Sequence, residues 1–528
     1  MTKFHYASLF LGGLLLTTSC VDDNYDLSDI DTSTAIKLDG LVVPVKLSQI
    51  TLDDVLDVDK DDSLIGIYTD KNGNRYYAIK QEGSFSADPV KINELRLTDY
   101  VTVPSLSLPA ASGSISDATV DFSYFIRNVD PSLLYLKYFG LKEGEYMEIN
   151  LSVFPANTSV SNLQIQIPST YVATYNGQEF TNGIIPVDIE NGSLKYPIYI
   201  TQMQFDPLLS NVDNTLEIKG KIGIKSATIN SNGENMTWQF SMSPFTANVV
   251  SGAINYKVEA PYINPVELND LPDFLTEGET NLILENPQLY LDFSSLYGAN
   301  YNTTLTISPE GTDVVNTVIE MEPFQTAIIL APDANNIGLP NLYSSPILQN
   351  VPQLKYVLSG KGLPTKLNIS LDNTYLDGEI SNLVLGTYPG IELAGSYTFF
   401  TPLAFAEGTQ VIYSKKENDF FGDDMEEVEV NELQLSADIT TNLPFAVSLT
   451  VYPLNKNGER LDSASTTVPA NAQGSLFDIH FTNTFYGLDG VEFIVTADDM
   501  NGESLTPEQY LQLDNIRAKV TGKYVTKL

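Results

Sequence analysis

Apolar and polar residues alternate along most of this chain, and the period is two. In Met236-Thr237-Trp238-Gln239-Phe240-Ser241-Met242 the apolar side chains fall on one side of an extended backbone, with Thr, Gln and Ser on the other. Ile218-Lys219-Gly220-Lys221-Ile222-Gly223-Ile224, Leu433-Gln434-Leu435-Ser436-Ala437-Asp438-Ile439 and Phe477-Asp478-Ile479-His480-Phe481 follow the same rule. Such segments are half-buried strands, with one face on a core and one in water, as antiparallel sheets require. Asn72-Gly73, Asn232-Gly233 and Asn457-Gly458 each lie between strand-like runs, and Asn-Gly supplies the positive φ that tight hairpins need. Helical signals are brief. Thr506-Pro507-Glu508-Gln509 offers a cap, a first-turn Pro and a Gln at the third position, and Thr51-Leu52-Asp53-Asp54 opens another short piece. The pattern predicts an all-β protein of serial antiparallel β-sandwich-like domains with a few short helices.

Boundaries follow from composition along the chain. Its 528 residues make three or four domains at roughly 100–200 residues each. Residues 35–135 read as a first β domain and 145–259 as a second. The Pro-rich stretch Pro261-Tyr262-Ile263-Asn264-Pro265 marks a junction into a third, 260–406. The acidic segment from Asp419 to Glu429 reads as a connector or exposed loop before a C-terminal β-sandwich domain, 430–528. Asn150-Leu151-Ser152-Val153-Phe154-Pro155 is loosely echoed by Ser448-Leu449-Thr450-Val451-Tyr452-Pro453, with no exact repeat.

Composition then narrows the function. With 28 Lys and Arg against 67 Asp and Glu the formal charge is −39, which repels phosphate backbones and sets nucleic acid aside as a partner. A chain that is 43% hydrophobic is too apolar for a disordered acidic tail. One Cys and two His leave no internal disulfide, no thiolate zinc site and little for triad hydrolysis. No cofactor is expected.

The single Cys has a position that explains it. Residues 1–19 read as a secretory signal, with Lys3 and His5 leading an apolar run from Ala7 to Leu16 that is too short to span a bilayer. Leu16-Thr17-Thr18-Ser19-Cys20 resembles the lipobox of bacterial lipoproteins, although Thr17 stands where an aliphatic residue is commonest. That resemblance implies that Cys20 is the acylated first residue of the mature chain and the membrane anchor. Residues 20–34 form an acidic tether in which Asp22 and Asp23 look like the export signal of Bacteroidota surface lipoproteins. Asp62-Ser63-Leu64 and Asp462-Ser463-Ala464 resemble the O-glycosylation acceptor of the same bacteria, implying modification at Ser63 and Ser463. Tyr397-Thr398-Phe399-Phe400-Thr401-Pro402-Leu403 and the last third of the chain are similar to gut Bacteroidota lipoproteins of uncharacterised function, a resemblance that transfers no active residues.

Candidate chemistry is sparse. Asp57, Asp59 and Asp61 have the spacing that opens a calcium loop, but the Gly and Glu that complete an EF-hand are replaced by Asp62 and Tyr68. A solvated acidic turn is the competing reading. His480 falls on the polar face of its strand, and no Gly-x-Ser-x-Gly elbow activates a Ser. Tyr76, Tyr77, Tyr135, Tyr138, Tyr171, Tyr175, Tyr297 and Tyr301 are candidate stacking faces, whereas Trp238 belongs to a core by its alternation. The leading expectation is a non-enzymatic, lipid-anchored protein of the outer membrane, exposed at the cell surface and adhesin-like, with a glycan or protein partner. The alternatives are a glycan-binding accessory of a polysaccharide-utilisation system and a carboxylate-dependent glycoside hydrolase. An apolar ligand carrier would need a continuous apolar groove.

Overall fold

The computed structural model describes residues 33–44, 50–56, 58, 63–88, 91–109, 112–156, 158–230, 233–277, 281–293, 299–386, 393–421, 425, 427–498 and 500–527. Strand makes up 64% and helix 3%, so the all-β expectation holds. The alternating segments fold as their pattern dictates. Met236–Met242 alternates buried and half-buried without a break, and Trp238 and Phe240 are fully enclosed. Hairpins turn at Gly73 and Gly458, both with positive φ. The cap-like piece at Thr506 closes as a single turn, with the Gln509 amide donating to the Thr506 carbonyl at 3.1 Å and the Gln509 side chain accepting from the Thr506 amide at 3.0 Å. Its partner in sequence does form a helix, Leu52–Leu56.

Strand pairing builds a network of twenty strands, a seven-stranded sheet, and a six-stranded sheet facing a four-stranded one. The network is threaded by Lys366–Val384, which pairs with Asn300–Pro309 along its first part and with Phe245–Lys257 along its second. The seven-stranded sheet includes Ile65–Thr69, Arg75–Ser86, Ala394–Pro402, Gln288–Phe293 and Ala327–Ala331. Its inner face packs on the network through Phe85, Phe293 and Tyr301, with ring centroids 5.3 and 4.8 Å apart along that series.

The pairings run across the sequence-based spans. Span 35–135 is divided among three sheets: Ser33–Pro44 joins the six-stranded sheet, Arg75–Ser86 the seven-stranded sheet, and Gly113–Arg127 the network. The acidic segment from Asp419 to Glu429 is not all connector, since Phe421 and Met425 are buried and its end, from Val428, begins the strand Val428–Thr441. Ser33–Pro44 pairs antiparallel with Tyr510–Lys527, so opposite ends of the described chain lie side by side.

One buried charge lies in the C-terminal sandwich. The Glu492 side chain is only 3% exposed, accepts from Arg460 at 2.7 Å and from the Ser414 hydroxyl at 2.8 Å. Arg460 in turn stacks 4.1 Å over the Tyr452 ring. Burial works to raise the Glu492 carboxyl, but the Arg460 and Ser414 hydrogen bonds outweigh it and hold it below the usual range. A carboxyl lowered in the folded state stabilises fully above its unfolded pKa, and the contribution is lost as pH falls through the lowered folded value. Urea unfolding followed by circular dichroism should therefore weaken less steeply with acidification in Glu492→Gln than in wild type. Equal slopes would show that the pair gives no such linkage.

Candidate functional site

The outer face of the seven-stranded sheet carries the chemistry. Tyr76, Ala78, Tyr290, Ile329 and Phe400 form a small apolar cluster there, separate from the main core, and Ile337, Leu339 and Tyr343 from the following loop pack over it. The loop is held by polar side chains that rise from the sheet. Gln288, with no exposed surface, accepts from the Gly338 amide at 2.9 Å and donates to the Asn336 carbonyl at 3.1 Å. The Asn286 amide donates to the same carbonyl at 2.6 Å. The Tyr290 hydroxyl donates to Gln288 at 2.6 Å and accepts from the Leu339 amide at 2.9 Å. Every polar group in this set has a partner, which is what makes a buried network rigid rather than costly. Gly338 is required by space: a Cβ there would meet the Phe400 ring at 2.1 Å.

Beside the clamped loop opens a cleft of about 550 Å³. Its walls come from three places in the chain: the Asp70–Arg75 hairpin, residues 335–340, and Gly502–Thr506, which bridges to the sheet between Ser504 and Ala404. Tyr76 and Gln288 lie at its base. Burial, then the nearby Asp70 and Tyr68, push the Tyr76 hydroxyl up to about 12, so it stays protonated and available as a donor at neutral pH. Asp70 is committed to its own hairpin, accepting from the Asn72 and Asn74 amides at 2.8 Å each and from the Asn74 side chain at 2.9 Å. Those bonds, the Asn74 side chain first, hold its carboxyl below the ordinary range. Arg75 pairs with Glu508 at 3.3 Å on the rim. The lining thus offers amides, hydroxyls and both signs of charge in one concave surface, a set suited to a neutral, polar, hydroxyl-rich ligand.

The sequence candidates distribute unevenly around this site. Tyr76 lines it, Tyr77 is fully buried beneath the sheet with its hydroxyl donating to Asp53 at 2.6 Å, and Tyr171, Tyr175 and Tyr301 belong to the core. Tyr135 is half-buried and donates to Glu379 at 2.7 Å. His480 is an exposed side chain 3.5 Å from Asp478 and 3.9 Å from Glu432. Ser463 is exposed, whereas the half-buried Ser63 hydroxyl donates to the Ile65 carbonyl at 3.3 Å. Cys20, Asp22, Asp23, Asp57, Asp59, Asp61 and Tyr297 lie outside the described residues. Among the described residues no group of three or more His, Cys, Asp or Glu is placed to hold a metal ion. Missed by the sequence reading were Arg75, Asn286, Gln288, Asn335 and Asn336. One signal for them existed: Gln288 is polar within the otherwise buried strand Gln288–Phe293, and Asn335-Asn336 follows it in a turn-rich run.

An apolar cavity of about 90 Å³ lies inside the C-terminal sandwich, between Val411, Val447 and Val495 on one side and Leu511 on the other, under the helix Leu52–Leu56. It is smaller than the cavity of about 150 Å³ that admits benzene in an engineered core.

No family model matches the chain, and no curated protein matches it. Among solved structures, a protein inferred to be secreted, from Parabacteroides distasonis ATCC 8503, is similar with a TM-score of 0.35 and 14% identity, over 52% of this chain and 89% of that one. A chain of the Sulfolobus Turreted Icosahedral Virus is similar with a TM-score of 0.12 and 9% identity, over 82% and 91%. Likeness at these values establishes neither a shared fold nor a shared activity.

The clamp makes a direct prediction. Tyr290→Phe removes the hydroxyl that accepts from the Leu339 amide and donates to Gln288; the Gln288 oxygen keeps the Gly338 amide, but the Leu339 N–H is left unpaired at a cost of about 1–3 kcal/mol. Amide hydrogen exchange at Leu339 should accelerate accordingly; unchanged exchange would show that the loop is held by packing alone.

Proposed function

We propose that this protein is a non-enzymatic, lipid-anchored binding protein displayed on the outer membrane of a Bacteroidota bacterium, and that its ligand is a neutral glycan. The observation that carries the reading is the polar cleft of about 550 Å³ on a rigidly clamped sheet face, with Tyr76 at its base. Amides and hydroxyls exchange hydrogen bonds with sugar hydroxyls, and balanced charge neither repels nor selects for an ionic polymer. The general charge of −39 disfavours acidic polysaccharides. Asp70 serves its own hairpin, accepting from the Asn72 and Asn74 amides, and so holds the cleft wall in place. The anchor rests on Cys20 and the tether on Asp22 and Asp23. No helix among the described residues is long and apolar enough to cross a membrane.

Isothermal titration of the protein with neutral oligosaccharides should show binding that weakens about tenfold or more in the Arg75→Ala, Asn335→Ala double variant. Binding unchanged in that variant would remove the cleft from consideration, and release of reducing sugar would overturn the non-enzymatic assignment. The address is tested separately. Radiolabelled palmitate should enter wild type and not Cys20→Ala, and protease added to intact cells should degrade wild type; a fully protected chain would refute surface exposure.

A further inference from the structure

A second cleft, of about 500 Å³, opens on the same sheet and is bordered by Ser84, Ser396, Asp292, Tyr262 and Asn264. We infer that it is a second subsite for the same ligand, and that the ligand is therefore an extended oligosaccharide chain rather than a single sugar or a disaccharide. The inference rests on the glycan-binding reading of the first cleft. Tyr76 lines the first cleft and Ser84 the second, and both lie on the strand Arg75–Ser86. At about 3.3 Å per residue the two positions stand roughly 26 Å apart, and Ala78 between them is covered by Ile337, Leu339 and Tyr343, so one ligand reaches both only if it is a polymer long enough to pass over that loop.

The second cleft has the chemistry of a sugar site. Ser84 pairs with Ser396, and Ser396 with Asp292, so two hydroxyls and a carboxylate stand in a row across adjacent strands at about 4.8 Å spacing. The Tyr343 hydroxyl shares hydrogen bonds with Ser396 and Thr398. Asp292 is half-buried, and desolvation alone raises its carboxyl, with no bonded donor to offset it. Two neighbouring hydroxyls of a pyranose supply the donors that the carboxylate lacks. Tyr262, 73% exposed, stands over the edge strand opposite Ser86 and presents a ring face for the apolar side of a sugar. Its position is fixed from below, because the buried Tyr397 donates its hydroxyl to the Asn264 carbonyl at 2.9 Å. An exposed aromatic ring, a desolvated carboxylate and a hydroxyl row within one concave space match a neutral sugar unit.

A ladder of neutral gluco-oligosaccharides, α- and β-linked, titrated calorimetrically into wild type, Tyr262→Ala and Asp292→Asn, tests this. Affinity in wild type should rise with chain length until the chain spans both clefts. Each variant should weaken the long oligomers about tenfold while leaving the short ones unchanged. Because Tyr262 is exposed, an unaltered thermal melt of Tyr262→Ala shows that any loss is local. Affinity that does not rise with length, or long oligomers bound equally by all three proteins, overturns the second subsite. If short oligomers still bind and the Arg75→Ala, Asn335→Ala variant still loses them, the first cleft stands alone. If no oligomer binds wild type, both readings fall together.

Discussion

Backbone pairing on both edges of Lys366–Val384 is the constraint on which the rest of the molecule depends. A strand has donors and acceptors along two edges, and leaving either edge unpaired in an interior is expensive. Here Asn300–Pro309 satisfies one edge and Phe245–Lys257 the other, with overlap at Tyr375 to Asp377. Two groups of strands are thereby joined into one hydrogen-bonded fabric. The seven-stranded sheet has its apolar face drawn onto that fabric through Phe85, Phe293 and Phe399. Alternation does the remainder: once Phe293 points inward, Asp292 must point out. The outward face carries the polar side chains because the inward face is committed to the core.

Much of the fold is legible in the sequence, for a physical reason that also sets the limit. Period-two alternation reports which side of a strand is dry, and in Leu433–Ile439 and Met236–Met242 each residue sits on the expected side. It carries no information about which strand lies alongside. Hydrogen-bond partners are backbone groups common to all residues, so the division of span 35–135 among three sheets left no mark in its side chains. The same blindness hid the cleft. Arg75, Gln288, Asn336 and Glu503 are separated by long stretches of chain and meet only through strand order. Tyrosine counting pointed at the right residue type without separating Tyr76 from Tyr77, which alternate to opposite faces of a single strand. The anchor is the converse case: its signal is wholly local and needs no fold to be legible.

Charge acquires a narrower meaning as well. The acidic excess is a property of the surface as a whole, whereas the cleft is locally balanced, with Lys71 and Arg75 beside Asp70 and Glu503. Its buried polar groups are amides and hydroxyls, whose hydrogen bonds do not depend on titration near neutrality. The buried Glu492 carboxylate of the C-terminal sandwich is met by Arg460 and Ser414. Glu492 is thus individually matched, whereas the desolvated Asp292 carboxyl and the buried Asp377 oxygen are not.

The pairing of Ser33–Pro44 with Tyr510–Lys527 bears on how the molecule is made. Synthesis proceeds from the N-terminus, so Ser33–Pro44 emerges long before the strand that will cover it. Ser33 waits for Lys527, and Pro44 for Arg517. Contacts of such sequence separation close slowly, because most of the chain's loop entropy must be given up before the pairing rewards it. Until then a strand edge stays open in a crowded compartment, and a product truncated anywhere upstream never closes it. Tyr510–Lys527 thus decides whether Ser33–Pro44 is covered on that edge: a chain that stops short of it leaves the edge unpaired.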